Sequence, residues 1–263
     1  MQQLAIITRD TAAPDWVQPR AREFLTTPLP DLDLLDRALL RGIATLGASR
    51  VNSISGAHRI AVDCDPFILA VNHSTRLEAL FLPAFLILLR GGRRIHFLAD
   101  WNFRMIPGMD LIYRRSGAIT VPNKPARPRF LGVLKPLFTD RVAPMVKARH
   151  VLASGCSVGV FPEGTVNSHP TRLLRGRLGT ARLSIAAGVP VVPVGLRFAS
   201  TMPNARIAEG APMDIVIGEA MHPPTGVTLD CSAAVRDWHA RIMAAIGGLS
   251  GKSPRLPHTG EAR

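Results

Sequence analysis

The sequence has few aromatic residues and few cysteines, and each scarcity excludes a class of protein. Aromatic residues make up 5% of the 263 residues, which argues against the stacked aromatic platforms that bind single-stranded nucleic acids. The three cysteines, Cys64, Cys156 and Cys231, have no paired spacing. Their scatter favours a reducing compartment over a disulfide framework or a zinc site. We therefore expect no nucleic-acid partner and no structural metal.

Long hydrophobic runs are also missing. The longest apolar run, Ala79–Leu89, has 11 residues and contains Pro83, whereas a membrane-spanning helix needs about 20 apolar residues. The first 25 residues contain charged side chains of both signs and no apolar core of the kind that a signal peptide has. We therefore expect neither a signal peptide nor a membrane span, and at most a peripheral contact with a membrane.

Acidic residues are outnumbered by basic ones. The chain has 32 Lys and Arg residues against 19 Asp and Glu residues, a formal net charge of +13. The excess is concentrated between Arg90 and His150, where there are 13 basic and 3 acidic residues. Such a concentration suits anionic lipid headgroups, an anionic substrate or nucleic acid, unless it is simply a solvated basic face. The low aromatic content makes nucleic acid the least favoured of these partners.

Hydrophobic residues are plentiful at 47%, enough for one sizeable core. From about residue 60, short apolar runs alternate with segments of helical periodicity. The pattern predicts an α/β fold: a central mixed, mostly parallel sheet with helices on both faces, plus an N-terminal helical arm. The predicted strands are 67–71, 95–98, 118–121, 158–161, 189–196 and 213–217, and the predicted helices are 77–89, 129–152, 173–187 and 232–246.

Three regions follow from this pattern. Residues 1–58 are predicted to form an arm with an amphipathic helix that begins at Asp31 or Asp33 and ends near Leu46. Its leucine-rich stripe either packs on the core or rests on a membrane; the stripe consists of Leu32, Leu35, Leu39, Ile43 and Leu46. Residues 59–247 are predicted to form the main domain, and residues 248–263 a flexible tail rich in glycine, proline and serine.

A histidine and a glutamate follow the first strong strand of the domain. His73 and Glu78 lie five residues apart in Asn72-His73-Ser74-Thr75-Arg76-Leu77-Glu78. On a regular helix such a spacing places side chains about 140° apart. The carboxylate therefore reaches the imidazole only if His73 precedes the helix, with Ser74 or Thr75 at its cap. In that geometry the carboxylate fixes the tautomer and His73 can act as a general base.

Two other segments carry polar groups suited to anions. Phe161-Pro162-Glu163-Gly164-Thr165 follows a predicted strand, and it is either a plain turn or a site where backbone N–H groups and a hydroxyl hold phosphate-like oxygens. The segment from Gly108 to Arg115 ends in two arginines, and a guanidinium can bind a phosphate with two hydrogen bonds.

Two patterns suggest other enzymes and are rejected. Gly155-Cys156-Ser157-Val158-Gly159 matches the serine-hydrolase G-x-S-x-G, but a strand is predicted after the serine, where a nucleophile elbow has a helix. The segment from Gly247 to Ser253 is one residue too short for a P-loop.

In combination, the motifs resemble the glycerolipid acyltransferase superfamily, which contains bacterial 1-acylglycerol-3-phosphate acyltransferases. That family has an N-H-x4-D block, then G-x-x-F-I-x-R, F-P-E-G-T and a V-P-V-G strand. The chain has the four in order: Asn72-His73 with Glu78, Gly108 with Arg114, Phe161 to Thr165, and Val192 to Gly195. The resemblance covers about residues 55–200.

The resemblance implies an O-acyltransferase of phospholipid biosynthesis. His73 would deprotonate an acceptor hydroxyl, which attacks the thioester directly, and Glu78 would stand in for the family's Asp. The residues implied to hold the acceptor headgroup are Arg114, Glu163, Gly164, Thr165 and, in addition, Arg177. The implied donor is acyl-CoA or acyl carrier protein, with no cofactor. We expect a cytoplasmic protein bound peripherally to anionic lipids on the cytoplasmic face of the membrane.

The sequence departs from the family in three places. The carboxylate of the first block is Glu78 instead of Asp, so either the loop compensates for the extra methylene or the pair is weaker. Leu111 stands where Phe is usual. Asp100 lies in a stretch where relatives carry Lys, which disfavours a doubly charged phosphate acceptor and keeps open a lyso-ornithine-type lipid or a natural-product alcohol. A non-catalytic lipid-binding protein is the remaining alternative.

Overall fold

The structure, a computed structural model, describes residues 16–17, 21–126, 128–199 and 205–254. Strands and helices alternate along most of this length. The strands are β1 (Trp16–Val17), β2 (Val51–Ser55), β3 (Ile68–Val71), β4 (Ile95–Asp100), β5 (Ile119–Val121), β6 (Ser157–Val160), β7 (Val191–Phe198) and β8 (Met213–Ile217). The α-helices are α1 (Ala21–Thr26), α2 (Leu34–Gly47), α3 (Glu78–Leu89), α4 (Met109–Ser116), α5 (Lys135–Phe138), α6 (Pro144–Ala153), α7 (Gly179–Ala187) and α8 (Ser232–Ser250).

The strands form one mixed sheet in the order β1-β2-β8-β7-β3-β6-β4-β5. The central five, β7, β3, β6, β4 and β5, are parallel to one another. Strand β8 is antiparallel to β7, and β2 runs parallel to β8. The predicted α/β class with a mixed, mostly parallel sheet is confirmed.

Helices cover both faces of this sheet, and strand β3 shows why its sequence reads as a continuous apolar run. Leu69 and Val71 belong to one core cluster, which α2 and α3 complete. Ile68 and Ala70 point the other way, into a second cluster completed by α6, α7 and α8. Successive side chains of a strand face opposite sides, so a strand between two helical layers needs apolar residues at every position.

The N-terminal segment is more closely joined to the domain than predicted. Residues 51–55 were assigned to an arm, yet they form β2, whose partner β8 lies about 160 residues further along the chain. On α2, Asp33 caps the N-terminus by accepting from the Asp36 N–H, as one of the two predicted caps. The buried face is Asp36, Ala44 and Gly47, shifted from the leucine stripe. A salt bridge to the partly exposed Arg94 makes the buried position of Asp36 tolerable.

Two other predicted boundaries are wrong. Residues 173–178 were assigned to a helix, but α7 begins only at Gly179; the preceding segment instead binds the motif loop described below. Helix α8 continues to Ser250, and the next residues pack on the domain, with Lys252 buried and Ser253 paired with Thr171. The predicted flexible tail therefore starts too early. Within the described ranges, no helix is long and apolar enough to cross a membrane.

Candidate active site

The His73 motif and the F-P-E-G-T motif lie side by side at the carboxyl ends of two central strands of the sheet. Strands β3 and β6 are parallel neighbours with Ala70 opposite Val160, so the loops that follow them leave the sheet together. The backbone of His73 is held from both sides by the second loop. Its N–H donates to Glu163 Oε1 at 3.0 Å, and its carbonyl accepts from the Asn167 N–H at 2.7 Å.

His73 and Glu78 form a hydrogen-bonded pair. His73 precedes α3 and Glu78 is the first residue of the helix, so the geometric condition derived from their spacing is met. The distance from His73 Nδ1 to Glu78 Oε1 is 2.7 Å. The helix cap is Leu77, not Ser74 or Thr75 as predicted, and the Thr75 hydroxyl accepts from the Glu78 N–H at 3.4 Å. The loop therefore compensates fully for the extra methylene of glutamate.

Glu78 is 1% exposed, and three donors surround its carboxylate. The Ser74 N–H and His73 Nδ1 reach Oε1, and the Thr75 hydroxyl reaches Oε2 at 3.3 Å. Burial raises the pKa of Glu78, while the hydrogen bonds and the charge of His73 oppose that shift. Because the Ser74 N–H can only donate, the carboxylate serves as an acceptor there, and the proton of the pair is placed on His73 Nδ1.

The imidazole of His73 lies flat on a phenyl ring. Phe161 stacks on it with ring centroids 4.4 Å apart and an interplanar angle of 26°, and Phe97 packs behind Phe161. The His73 side chain is 12% exposed. Among the described residues, Nε2 has no hydrogen-bond partner. The stack and the Glu78 bond fix the ring, so Nε2 is the nitrogen left for a substrate proton.

The carboxylate of Glu163, which we expected to contact a headgroup, is bound by the protein itself. Glu163 is 5% exposed, and its carboxylate points into the protein. Oε2 accepts from Asn167 Nδ2 at 2.7 Å and from the Leu174 N–H at 2.8 Å, while Oε1 holds His73. Three donors satisfy this carboxylate, and its place in the motif is explained by its hold on three segments.

Gly164, Thr165 and Arg177 form the exposed side of the same loop. Gly164 has φ +69°, and a β-carbon there would lie 2.8 Å from Arg177 Nε. The Arg177 N–H donates to the Pro162 carbonyl at 2.8 Å, which places its side chain over the glycine. Both Thr165 and Arg177 are exposed. The glycine is required because only a residue without a β-carbon allows the positive φ and the close guanidinium.

Arg114 lies apart from this cluster. It is on α4, its side chain is 68% exposed, and it pairs with Asp110 at 2.8 Å. In the described part of the chain it makes no hydrogen bond or ion pair with the loops that carry His73 and Glu163. The structure thus brings together His73, Glu78, Glu163, Gly164, Thr165 and Arg177, and leaves Arg114 on a neighbouring helix.

Asp100 is neutralised within the protein. Its carboxylate lies 3.3 Å from Lys124 Nζ and accepts from the N–H and side-chain amide of Asn102. The side chain is 14% exposed. The expectation that Asp100 repels a phosphate acceptor is therefore weakened, because its charge already has a partner.

Two residues of the cluster were missed as site residues. Asn72 is fully buried and joins β3 to β7, accepting from the Leu196 N–H at 2.7 Å and donating to its carbonyl at 3.2 Å. Lys252 is 3% exposed, and its Nζ donates to Ser74 Oγ at 2.7 Å. Burial lowers the pKa of Lys252, and the charges of Glu163 and Glu78 oppose the shift.

The sequence could have indicated a role for Asn72, because Asn72 directly precedes His73 in the motif. No such indication exists for Lys252, since it lies 178 residues from Ser74 in a segment assigned to a flexible tail. Ser157, the serine of the rejected hydrolase pattern, begins β6 at the opposite end of the parallel strands. It is fully buried and bonded to Asp65 and the Phe67 N–H.

Helix α3, which begins directly after the His73 loop, packs most of its apolar side chains inside the protein. Nine of its twelve residues are buried, including Phe81, Leu82 and Phe85, and they pack on α2 and the sheet. Two hollows lie away from His73, one beside α6 and α7 and the other beside α2 and α4.

Comparison with known proteins identifies the family and a similar fold. The model of the Acyltransferase family matches residues 53–197, more than half of the chain. No curated protein sequence matches. Among solved structures, the chain is similar to the 1-acyl-sn-glycerophosphate (LPA) acyltransferase, PlsC, from Thermotoga maritima, with a TM-score of 0.54 and 20% identity over 81% of this chain and 78% of that chain. At this identity the likeness concerns the fold.

Proposed function

The chain belongs to the Acyltransferase family, and we propose that it transfers a fatty acyl group from a thioester to the hydroxyl of a lysophospholipid-like acceptor. The single observation that supports this most is the His73–Glu78 pair, 2.7 Å apart, with Nε2 of the imidazole left without a partner among the described residues. A buried carboxylate, an oriented imidazole and an open ring nitrogen are the parts that general-base activation of a hydroxyl needs.

The proposed reaction takes place in one displacement. Nε2 of His73 accepts the proton of the acceptor hydroxyl as the oxygen attacks the thioester carbonyl carbon. The resulting tetrahedral intermediate collapses, the C–S bond breaks, and the imidazolium returns the proton to the leaving thiolate. The products are an ester and a free thiol. No acyl-enzyme forms and no cofactor takes part.

The charges around His73 favour the proton transfer. Two buried carboxylates, Glu78 and Glu163, share one buried cation, Lys252. With Lys252 protonated and His73 neutral, this cluster carries one net negative charge. When His73 takes the proton, the cluster becomes neutral. The Glu78 carboxylate, which lies 2.7 Å from Nδ1, stabilises the imidazolium that forms during the attack.

The acceptor headgroup is proposed to bind beside the imidazole, on the exposed side of the F-P-E-G-T loop. Gly164 allows close approach of the backbone, Thr165 offers a hydroxyl, and Arg177 offers a guanidinium for phosphate. Arg114 is proposed as a more distant cation at the same substrate. Glu163 takes a positioning role instead, through the His73 backbone.

A phosphate-bearing acceptor such as lysophosphatidate is the favoured substrate. The negative charge of Asp100 was the reason to consider an amino-acid-derived lyso-lipid or an alcohol as acceptor. The ion pair between Asp100 and Lys124 weakens that reason. Acyl-CoA and acyl carrier protein remain equivalent donors, because both present the thioester at the end of a phosphopantetheine arm. Binding to the cytoplasmic face of an anionic membrane would bring the protein to such substrates.

Thiol release from long-chain acyl-CoA, measured in detergent micelles, tests the proposal. Lysophosphatidate and a lyso-ornithine-type lipid serve as acceptors, and His73→Ala is the control. We expect release that requires an acceptor, is fastest with lysophosphatidate and disappears in His73→Ala. Without release from either acyl-CoA or acyl carrier protein, the catalytic proposal fails and a lipid-binding protein becomes the better interpretation.

A further inference from the structure

Three large apolar side chains project from one side of the segment that follows β5. Phe130, Val133 and Leu137 are 74%, 78% and 71% exposed, and we call them the apolar ridge. Phe130 and Val133 lie on a 3-10 helix, Arg129–Leu134, where residues three apart stack on the same side. Leu137 continues the row on α5. Exposed apolar residues grouped on one side, instead of scattered, mark an interaction surface.

The segment that carries the ridge is fastened to the domain on both sides. Ahead of it, the indole N–H of Trp101 donates to the Lys124 carbonyl at 2.9 Å. Behind it, Arg104 donates to the Phe138 carbonyl at 2.8 Å and pairs with Asp110 at 2.6 Å. Trp101 is fully buried. The ridge is therefore presented by a fixed part of the fold.

The segment that carries the ridge follows β5 at the same end of the parallel strands where the His73 loop follows β3. Parallel pairing places Val121, the end of β5, opposite Asp100, the end of β4. Strand β4 pairs in turn with β6, and β6 with β3, all in parallel. The loops after β3, β6, β4 and β5 thus emerge on one side, and the ridge and the candidate active site share that side.

Cations without an ion pair lie next to the ridge in the sequence. From Arg90 to Lys124, all seven Lys and Arg side chains are paired with carboxylates at distances up to 3.3 Å, and Arg104 with Asp110 is one example. Among the described residues, Arg129, Lys135 and Arg141 have no ion pair. Cations that are free to attract an external anion therefore lie beside Phe130, Val133 and Leu137 along the chain.

We propose that the apolar ridge is the surface by which this protein docks on an anionic phospholipid bilayer. The inference rests on the proposed function, since it brings lipid substrates to the end of the sheet that carries His73. The three side chains are largely exposed and line neither the hollow beside α6 and α7 nor the one beside α2 and α4, which suits insertion among lipid chains better than a fitted protein partner. Neighbouring cations suit the anionic headgroups at that depth.

Sedimentation with extruded vesicles tests the docking surface without any need for turnover. We expect wild type to bind vesicles of equal parts phosphatidylglycerol and phosphatidylcholine. Phe130→Ser/Val133→Ser/Leu137→Ser should weaken binding by about 30-fold or more, since each residue loses its buried apolar area. Arg129→Gln/Arg141→Gln should weaken it about 10-fold and flatten its salt dependence. Thermal melts should stay unchanged, because all five side chains are exposed.

The matched control removes three exposed leucines from another face. Leu34→Ser/Leu35→Ser/Leu46→Ser alters α2, where the side chains are 82%, 41% and 75% exposed, and it should bind within about threefold of wild type. Loss of binding in this control with none in the ridge variant would overturn the proposal in favour of α2. Binding to acyl carrier protein or self-association, with no binding to vesicles, would overturn it in favour of a protein partner.

Failure of the ridge proposal and failure of the proposed function are separate results. Acyl transfer measured on detergent-dispersed substrates should be equal in wild type and the ridge variant, because the three ridge side chains are exposed and are not among the residues proposed for catalysis or headgroup binding. If no acyl transfer occurs with any acceptor while vesicle binding still depends on the ridge, the proposed function fails and the docking surface stands.

Discussion

Shortening Glu78 to aspartate should impair this protein, although aspartate is the residue that the family's first block carries. Glu78 begins α3, and its carboxylate meets His73 Nδ1 at 2.7 Å. Aspartate is shorter by one carbon–carbon bond, about 1.5 Å. Because the helix start is fixed by buried neighbours, the carboxylate would retract to roughly 4 Å from the ring, beyond hydrogen-bonding distance.

The size of the effect follows from the lost hydrogen bond. A hydrogen bond to a charged group contributes about 1.5–3 kcal/mol. If that bond is made mainly in the imidazolium state, its loss lowers kcat by roughly 10- to 150-fold. The Ser74 N–H also loses its acceptor, so the unfolding free energy should fall by about 1–3 kcal/mol.

Steady-state thiol release with lysophosphatidate is the assay, and Glu78→Gln is the matched comparison. Glutamine keeps the length but not the charge, so we expect a larger loss of kcat, up to about 10⁴-fold, with normal thermal stability of the fold as the check on folding. His73→Ala defines the background. If Glu78→Asp retained kcat within about twofold of wild type, our account of how the loop compensates for the longer side chain would be wrong.

Three further changes test other parts of the cluster. Since burial lowers the pKa of Lys252, the unfolded state binds more protons at this site than the folded state between the lowered pKa and the ordinary lysine value of about 10.4; wild type should therefore gain stability over Lys252→Met as the pH rises toward that value, and a constant difference in urea unfolding would refute this. Asn72→Leu leaves both backbone groups of Leu196 without their partner, so urea unfolding should show a loss of about 2–4 kcal/mol, and a loss below about 1 kcal/mol would argue against the clamp. Gly164→Ala adds a β-carbon 2.8 Å from Arg177 Nε at a positive φ; it should raise KM for the acceptor about 10-fold with a smaller change in kcat, and an unchanged KM would exclude this side of the loop as the headgroup site.

The sequence by itself determined the layered sheet and the place of the candidate site. Strand β3 is apolar at every position, and β7 is apolar from Val191 to Val194; such a run is typical of a strand that is buried on both faces. His73 and Glu78 were readable because both belong to one loop and one helix start. Their approach is a local matter of chain geometry, so a spacing of five residues was enough to state the condition under which they meet.

The role of each charged group was decided by the tertiary structure. Glu163 looked like a headgroup ligand, yet its carboxylate is satisfied by the His73 and Leu174 backbones and by Asn167. Asp100 looked like a repulsive charge, yet Lys124 neutralises it. In each case the motif fixes which residue is present, but its partners come from other segments, and partners determine whether a carboxylate faces a ligand or the protein.

Helix α2 and Lys252 show most clearly what the sequence predicts and what only the folded structure reveals. The stripe of leucines on α2 predicted a helix correctly, but the face that packs contains Asp36, because Arg94 on a distant segment compensates its charge. Lys252 reaches Ser74 across 178 residues. Periodicity records only what neighbours along one element share. Contacts between distant segments depend on how the layers close over one another, so only the folded chain shows which buried charges meet at His73.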